Sequence, residues 1–416
     1  MSVILVQGYH PLKGEIEIQG SKNAALPMMA AAILHKGTTV LKHVPRIQDV
    51  YCMMGILESM GCSCVLKEHT LTVDAKTIRD IRIPEENGKA MRSSIMVLGA
   101  LLGRRGEAYV HYPGGCSIGS RPIDMHIEAL KQMGAHICEE EGILHARALE
   151  LRGTSLSLPY PSVGATENVI LAAVAAKGIT TLKGAAMEPE VEALCRMLNA
   201  MGANISGIGT NVLVIRGGSP LRDSQYDVPG DRIVAGTYLS AVMAAGGEAV
   251  LKKGSPEHLS QVLETGAAMG ARIQVDGGDI RVAMEGRPKA MSIATGPYPG
   301  FPTDLQSMML VLMSLGQGQS RLKETVFEGR FATAKELRKM GAGIIIEGKE
   351  ALVSGKRRLK GTRVRAHDLR GGAALVTAGL AADGETCITH CHHIFRGYED
   401  ICRDLKNLGA DIRREG

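Results

Sequence analysis

The chain reads as an α/β protein of two domains, each assembled from three repeats of about 70 residues. Three observations predict this. A Met-Gly pair recurs at Met60-Gly61, Met133-Gly134, Met201-Gly202, Met269-Gly270 and Met340-Gly341, with Leu408-Gly409 in the sixth place, at intervals of 73, 68, 68, 71 and 68 residues. A second glycine, each time followed by a strand-like run, keeps the same rhythm at Gly37, Gly106, Gly178, Gly247, Gly318 and Gly384. The length, 416 residues, suits two domains or more. A solenoid would be the other architecture for repeats, but solenoid units usually run about 20–50 residues, and these are longer and mix helix with strand.

Each repeat has one order, clearest in the first. An apolar helix over 24–34 comes first, with Gly37 as its stop, a residue tolerant of positive φ. A strand over 38–43 follows. A second helix then places Ile47, Val50, Tyr51, Met54, Leu57 and Met60 on one face, and Gly61 closes it. A hairpin ends the unit, with Leu71 and Val73 alternating against polar neighbours. The sixth repeat stops after one strand, at Asp411-Ile412-Arg413. Its missing piece is at the other end of the chain. Leu5-Val6-Gln7-Gly8 reads like Leu213-Val214-Ile215-Arg216-Gly217 and Leu352-Val353-Ser354-Gly355. The N-terminal strands are therefore expected to complete the last repeat. The predicted domains are 22–229 (repeats 1–3) and 1–21 with 230–416 (repeats 4–6). The chain would cross between them near Gly20-Ser21 and Pro229-Gly230.

Composition excludes several classes. Hydrophobic residues make up 45% and charged residues 22%, which is a globular and not a disordered balance. The longest apolar runs, such as 95–102 and 169–176, fall far short of the ~20 residues that span a bilayer. A net charge of +5 and the lack of tryptophan argue against a nucleic-acid or membrane surface. Nine cysteines without a Cys-x-x-Cys pair suit reduced thiols, and no signal segment opens the chain, so a cytoplasmic protein is expected. Neither a P-loop nor a Gly-x-Gly-x-x-Gly turn after a strand is present. Cys387 with His390-Cys391-His392-His393 invites a zinc reading. On a strand, however, Cys387 and Cys391 would share a face that the adjacent histidines do not. No metal and no cofactor are expected.

Chemistry is expected where polar residues meet the starts of buried helices. Those starts read Ser21-Lys22-Asn23, Met91-Arg92-Ser93, Ala165-Thr166-Glu167, Gly230-Asp231-Arg232, Pro302-Thr303-Asp304 and Leu369-Arg370-Gly371. Helix N-termini carry free N–H groups and a partial positive charge. Asp304 suits a cap there. Lys22, Arg92 and Arg370 do not, unless an anion joins them, which predicts anionic ligands between the domains. A second polar ring lies after the first strand of each repeat: Arg46, Cys116 with Arg121, Glu188, Glu328 with Arg330, and Arg396. The loop Pro113-Gly114-Gly115-Cys116-Ser117-Ile118-Gly119-Ser120-Arg121-Pro122 offers no core for its thiol. It reads as a mobile lid with a reactive cysteine beside a cation. Cys52, Cys138, Cys195 and Cys402 read as small buried hydrophobes.

At these residues the sequence resembles the UDP-N-acetylglucosamine enolpyruvyl transferase family over its whole length. The strings that carry the resemblance are Gly20-Ser21-Lys22-Asn23, Pro113 to Asp124, Pro161-Ser162-Val163-Gly164-Ala165-Thr166-Glu167-Asn168, Phe301-Pro302-Thr303-Asp304 and Arg396-Gly397-Tyr398-Glu399. The cysteine loop is the most discriminating, since the shikimate-pathway relatives share the repeats and lack it. The resemblance implies an inside-out α/β barrel of two domains that closes on substrate. It implies transfer of the enolpyruvyl group of phosphoenolpyruvate to the 3′-hydroxyl of UDP-N-acetylglucosamine, by addition and elimination, at the start of peptidoglycan synthesis. Cys116 matches the family's proton donor, open to alkylation by fosfomycin, and Asp304 the base. Lys22, Arg121 and Arg396 match the phosphate and carboxylate contacts, and Arg370 another arginine near phosphoenolpyruvate. Asn23, Arg92, Arg121, Pro122, Ile123, Asp124, Met125, Ser162, Val163, Gly164 and Val326 match substrate-binding positions. The partners implied are these two small molecules, without nucleic acid or membrane, and a monomer is expected.

The chain departs from the family pattern at Tyr160, Val234, Gly329, Thr333-Ala334, Gly371-Gly372 and Phe395. Two other readings stay open beside the transferase: a relative that binds sugar nucleotide without turnover, and a shikimate-type transferase.

Overall fold

A computed structural model describes every residue except 1, 115–118, 120 and 121. Cys116 and Arg121 thus lie outside the described residues. The described chain forms two compact units, one of residues 20–114 and 122–229, the other of residues 2–19 and 230–416.

In the first unit three apolar helices, Lys22–Ala32, Met96–Arg105 and Val163–Ala175, pack on one another. Sheets flank them. One runs in the order Ser224–Asp227, Thr38–Lys42, Thr70–Asp74, Ser63–Lys67; one is Glu107–His111, Ile143–Arg147, His136–Glu140; one is Asn204–Ser206, Val212–Arg216, Ile179–Lys183, Ser155–Ser157. The helices are buried nearly all round because their residues are apolar nearly all round, and each fully buried Leu or Met contributes about 1.5–3 kcal/mol. The sheets turn one face inward, so their residues alternate: in Thr70–Asp74, Leu71 and Val73 are buried and their neighbours are not.

The second unit repeats the plan. Its central helices are Arg232–Ala245, Gln306–Leu315 and Leu369–Leu380. Its main sheets are Arg272–Asp276, Asp279–Met284, Gly247–Lys252, Leu12–Glu17; then Ser292–Ala294, Gln319–Lys323, Glu350–Ser354, Gly343–Glu347; then Arg363–Arg365, Glu385–Thr389, Val3–Gln7, Asp411–Glu415. In the last of these, Leu5 is opposite Cys387 on one side and Arg413 on the other, so the N-terminal strand sits between two C-terminal ones.

The Met-Gly marker has a physical meaning. Gly61, Gly134, Gly202, Gly270, Gly341 and Gly409 follow the ends of the second helices with φ between 88° and 110°, a region an L side chain rarely enters. The second marker follows suit except at Gly37, which lacks positive φ. The first helix ends earlier, at Ala32, with Ile33 still right-handed. Gly37 is small for a different reason: a Cβ there would collide with His35 and Asp223. The second helix buries Ile47, Val50, Leu57 and Met60 as expected, but not the whole predicted face. Gln48–Ser59 buries Val50, Met53, Ile56 and Leu57, whereas Tyr51 is 47% exposed. Met53 and Ile56 take the buried places expected of Tyr51 and Met54.

Candidate functional site

The helix starts carry the polar groups, and the two units build them differently. In the first unit, Ser21 caps its helix by accepting from the Ala24 N–H at 3.3 Å, and Ser162 does the same for Ala165 at 3.3 Å. In the second, Asp231 accepts from Ile233 and Val234 at 2.9 and 3.0 Å, and Asp368 from Arg370 and Gly371 at 3.0 and 2.9 Å. The middle helix of each unit instead opens with a 3-10 turn, Arg92–Ile95 or Thr303–Leu305. Two expectations are corrected. The third helix begins at Val163 and not near Ala165, because Ser162 supplies a cap, so Glu167 lies one turn inside. Asp304 is no cap: its carboxylate turns to two arginines.

Those arginines define the second unit's polar centre. Arg330 Nη2 donates to Asp304 Oδ1. Arg370 Nε and Nη2 both donate to Asp304 Oδ2, at 3.2 and 3.1 Å. Both guanidinium groups are buried, while the Asp304 side chain stays 26% exposed. Burial alone would push the Arg370 guanidinium down, but the Asp304 carboxylate, with Tyr398 and Asp231, holds it above its ordinary value. Val326 joins this centre, since its N–H donates to Glu324 Oε1 at 2.7 Å while Glu324 Oε2 accepts from Thr303 at 3.0 Å. Arg396 ends the 3-10 helix Cys391–Arg396, half-buried and two residues before Tyr398. That helix also corrects the strand expected through Cys391. The strand stops at Thr389, and His390 turns left-handed with φ 58°, so Cys387 and Cys391 are not on one strand face. Among the described residues no group of three His, Cys, Asp or Glu is placed to hold a metal.

In the first unit, Lys22 Nζ is 3.4 Å from Asp49 Oδ2, and both side chains are largely buried. Asn23 follows it, half-buried. Arg92 Nη2 donates to the Pro122 carbonyl at 3.1 Å. Ile123 is buried, Asp124 opens the helix Asp124–Gln132, and Met125 is half-buried. The buried His126 ties these residues to the Ser162-Val163-Gly164 turn. A Cβ on Gly164 would meet His126 Cε1 at 3.0 Å. Burial, and then the charge of Arg92, push the His126 imidazole down to about 4 against the pull of Asp124, so the ring is neutral. Asn168 Nδ2 lies 2.9 Å from His126 Nδ1 and donates to the Ile95 carbonyl at 2.9 Å, while its Oδ1 accepts from Gly99 N–H at 2.7 Å. One amide thus binds three segments. Arg92, Pro122, Asp124 and Gly164 are brought together here; Asp304, Val326 and Arg370 gather in the second unit.

Sequence reasoning missed Asp49, His126, Asn168, Glu324 and Tyr398 as members of these centres. Arg330 was visible as one of the cations after the first strand of its repeat. Asn168 and Tyr398 stood in the strings that carry the resemblance but had no role assigned; Asp49, His126 and Glu324 left no signal, because a polar residue in a helix or turn gains its partner only from a distant segment.

This arrangement of one carboxylate between buried guanidinium groups, with further cations at helix starts, suits chemistry on phosphate and carboxylate groups. Residues 6–405 match the family described as EPSP synthase (3-phosphoshikimate 1-carboxyvinyltransferase). The UDP-N-acetylglucosamine 1-carboxyvinyltransferase 2 of Caldanaerobacter subterraneus is 44% identical over 415 residues, covering 100% of both chains. The chain belongs to the UDP-N-acetylglucosamine 1-carboxyvinyltransferase branch of this family. The carboxyvinyltransferases of that name from Thermotoga maritima and Halorhodospira halophila are also 44% identical, over 99% and 100% of this chain and 98% and 99% of theirs. Among solved structures, the enolpyruvyl transferase NikO from Streptomyces tendae superposes with a TM-score of 0.89 at 24% identity, covering 99% of this chain and 98% of that one. EPSP synthase from Acinetobacter baumannii superposes at 0.76 and 19% identity, with both chains fully covered. These two likenesses establish the enolpyruvyl transferase fold. No helix among the described residues is long and apolar enough to cross a membrane.

Proposed function

We propose that this protein transfers the enolpyruvyl group of phosphoenolpyruvate to the 3′-hydroxyl of UDP-N-acetylglucosamine and releases phosphate, the entry to peptidoglycan precursors. The observation that carries this reading is the 44% identity over the full chain to carboxyvinyltransferases named for that sugar nucleotide. In the proposed route the hydroxyl oxygen adds to C2 of phosphoenolpyruvate as a proton reaches C3. Loss of phosphate, with a proton leaving C3, then restores the double bond.

Asp304 is the base assigned to the hydroxyl proton. Both of its oxygens are engaged by guanidinium groups, which makes for a weak base. An arriving phosphate or carboxylate competes for those N–H donors and leaves the carboxylate free to take the proton. Cys116 is assigned the proton delivered to C3. Lys22, Arg121, Arg370 and Arg396 are assigned the substrate anions. Asn23, Arg92, Pro122, Ile123, Asp124, Met125, Ser162, Val163, Gly164 and Val326 are assigned the sugar nucleotide and its surroundings. All eight described cysteines are free thiols and both substrates are charged metabolites, which supports action in the cytoplasm.

The test is phosphate release from phosphoenolpyruvate with UDP-N-acetylglucosamine, and in parallel with shikimate 3-phosphate. Release with the sugar nucleotide alone is expected. Release only with shikimate 3-phosphate, or binding of the sugar nucleotide without turnover, would replace the proposal with one of its two rivals.

A further inference from the structure

The two arginines that clamp Asp304 each donate to a second partner as well, a different hydroxyl in each case. Arg370 Nη1 lies 3.5 Å from the Tyr398 hydroxyl, and that hydroxyl is 2.7 Å from Thr237 Oγ1. The direction of this chain follows from proton counting. Thr237 has one hydroxyl hydrogen, and it goes to the Ile233 carbonyl at 2.8 Å. Tyr398 must therefore donate to Thr237, which leaves a Tyr398 lone pair to accept from Arg370. The chain runs Arg370 N–H to Tyr398 O–H to Thr237 O–H to a helix carbonyl. Tyr398 and Thr237 are both fully buried, so no bulk water replaces any member.

Arg330 also reaches a hydroxyl relay. Its Nε donates to Thr303 Oγ1 at 3.3 Å, and Thr303 donates to Glu324 Oε2 at 3.0 Å. Glu324 is buried, and its other oxygen accepts from the Val326 and Phe327 N–H groups at 2.7 and 3.0 Å. This relay too ends on backbone. Arg370 thus gives Nε and Nη2 to Asp304 and Nη1 to a hydroxyl anchored in the fold, and Arg330 gives Nη2 to Asp304 and the neighbouring Nε to another such hydroxyl. A guanidinium fixed by such a second partner keeps its plane when a substrate anion displaces the carboxylate from its front edge.

We propose that Tyr398 and Thr303 are positioning residues of the transfer reaction, each orienting, through one arginine, the donors that serve Asp304 and the substrate anion. The inference rests on the reading of Asp304 as the base, and the test separates the two.

The variants are Tyr398→Phe, Thr303→Val and Thr303→Ser, with Asp304→Asn beside them, all assayed as full-length protein with phosphoenolpyruvate and UDP-N-acetylglucosamine. Tyr398→Phe and Thr303→Val are expected to lower kcat roughly 10- to 100-fold while the KM for the sugar nucleotide moves less than about 2-fold. Thr303→Ser, which keeps the hydroxyl, is expected to recover most of the rate. A merely structural role would lower the folded fraction and leave kcat per folded molecule unchanged, which active-site titration reads directly. If Tyr398→Phe does not fold, the Thr303 pair decides. Wild-type kcat in both Tyr398→Phe and Thr303→Val, with Asp304→Asn inactive, would overturn the relays and spare the base. Near-normal turnover in Asp304→Asn would remove the base reading, and this inference with it.

Discussion

The two units share one plan and place charge differently within it. Ser21 and Ser162 cap two central helices of the first unit, whereas the corresponding caps of the second are Asp231 and Asp368. A neutral cap satisfies N–H groups and adds no charge. A carboxylate cap adds a full negative charge at the helix mouth, and a cation can then sit in the first turn, as Arg232 and Arg370 do. The second unit goes on to pair Arg370 and Arg330 with Asp304. The first unit does the reverse at its third helix. Five residues past the cap, the other capped helices carry Leu26, Gly236 and Ala373, but here stands Glu167, buried, with an Oε1 that has no hydrogen-bond partner among the described residues. Burial, reinforced by Glu190 and Glu188, pushes its carboxyl well above the usual carboxylate range. The same burial, with Glu167 nearby, pushes the Cys195 thiol up to about 12. The comparison teaches that repeated backbone does not entail repeated electrostatics: the Asp304 carboxylate meets two guanidinium groups, whereas burial and neighbouring carboxyls push the Glu167 carboxyl up.

The largest expected effects fall on the groups assigned to proton transfer. Asp304→Asn keeps the shape of the side chain but removes its negative charge and turns one of its two arginine-facing acceptors into a donor, and turnover is expected to fall by about 10²–10⁴-fold. Cys116→Ser should do as much, since a hydroxyl is a far weaker acid than a thiol, and the wild-type thiol should be alkylated by fosfomycin. Steady-state phosphate release checks both variants, and peptide mass spectrometry checks the adduct. Full activity in Asp304→Asn would mean that the paired centre is structural, and the contrast between the units would lose its functional meaning.

A smaller effect should appear at Asn168, the residue that ties three segments in the first unit. Asn168→Leu leaves the Gly99 N–H and the Ile95 carbonyl buried without their side-chain partner, and a loss of about 2–4 kcal/mol is expected. Urea denaturation followed by circular dichroism would read it. A loss below about 0.5 kcal/mol would show that other groups, or water, take over these bonds.

The smallest effect, and the most diagnostic for the comparison, belongs to Glu167→Gln. Because the folded carboxyl titrates above the unfolded one, the folded state holds the extra proton between those two values. Stability therefore falls as pH rises from the ordinary value of 4.5 through the raised folded value. Glutamine cannot ionise. The variant should match wild type near pH 4 and melt at a higher temperature as the pH rises past neutral. A melting difference that does not vary with pH would show that the carboxylate has found a counter-charge in the protein, and that the two units handle charge alike.

Much of this was legible in the chain alone. The six repeats, the alternating strands and the apolar helices follow from spacing, because 3.6- and 2-residue periodicities are local consequences of backbone geometry. The five Met-Gly junctions and Leu408-Gly409 follow too, since a positive φ at a helix end selects glycine whatever surrounds it. Lys22, Arg92 and Arg370 could be singled out because a cation at the start of an apolar helix is disfavoured in any context, and Asp304 because a carboxylate there suits a cap. Only the tertiary structure decided which partner each charge met. Asp49 is 27 residues from Lys22, Asp304 is 66 from Arg370, and Tyr398 is 161 from Thr237. Hydrogen bonds and ion pairs act over a few ångströms and carry no periodic signature along the chain, so the clamp on Asp304 and the raised Glu167 carboxyl emerge only when distant turns are folded against one another.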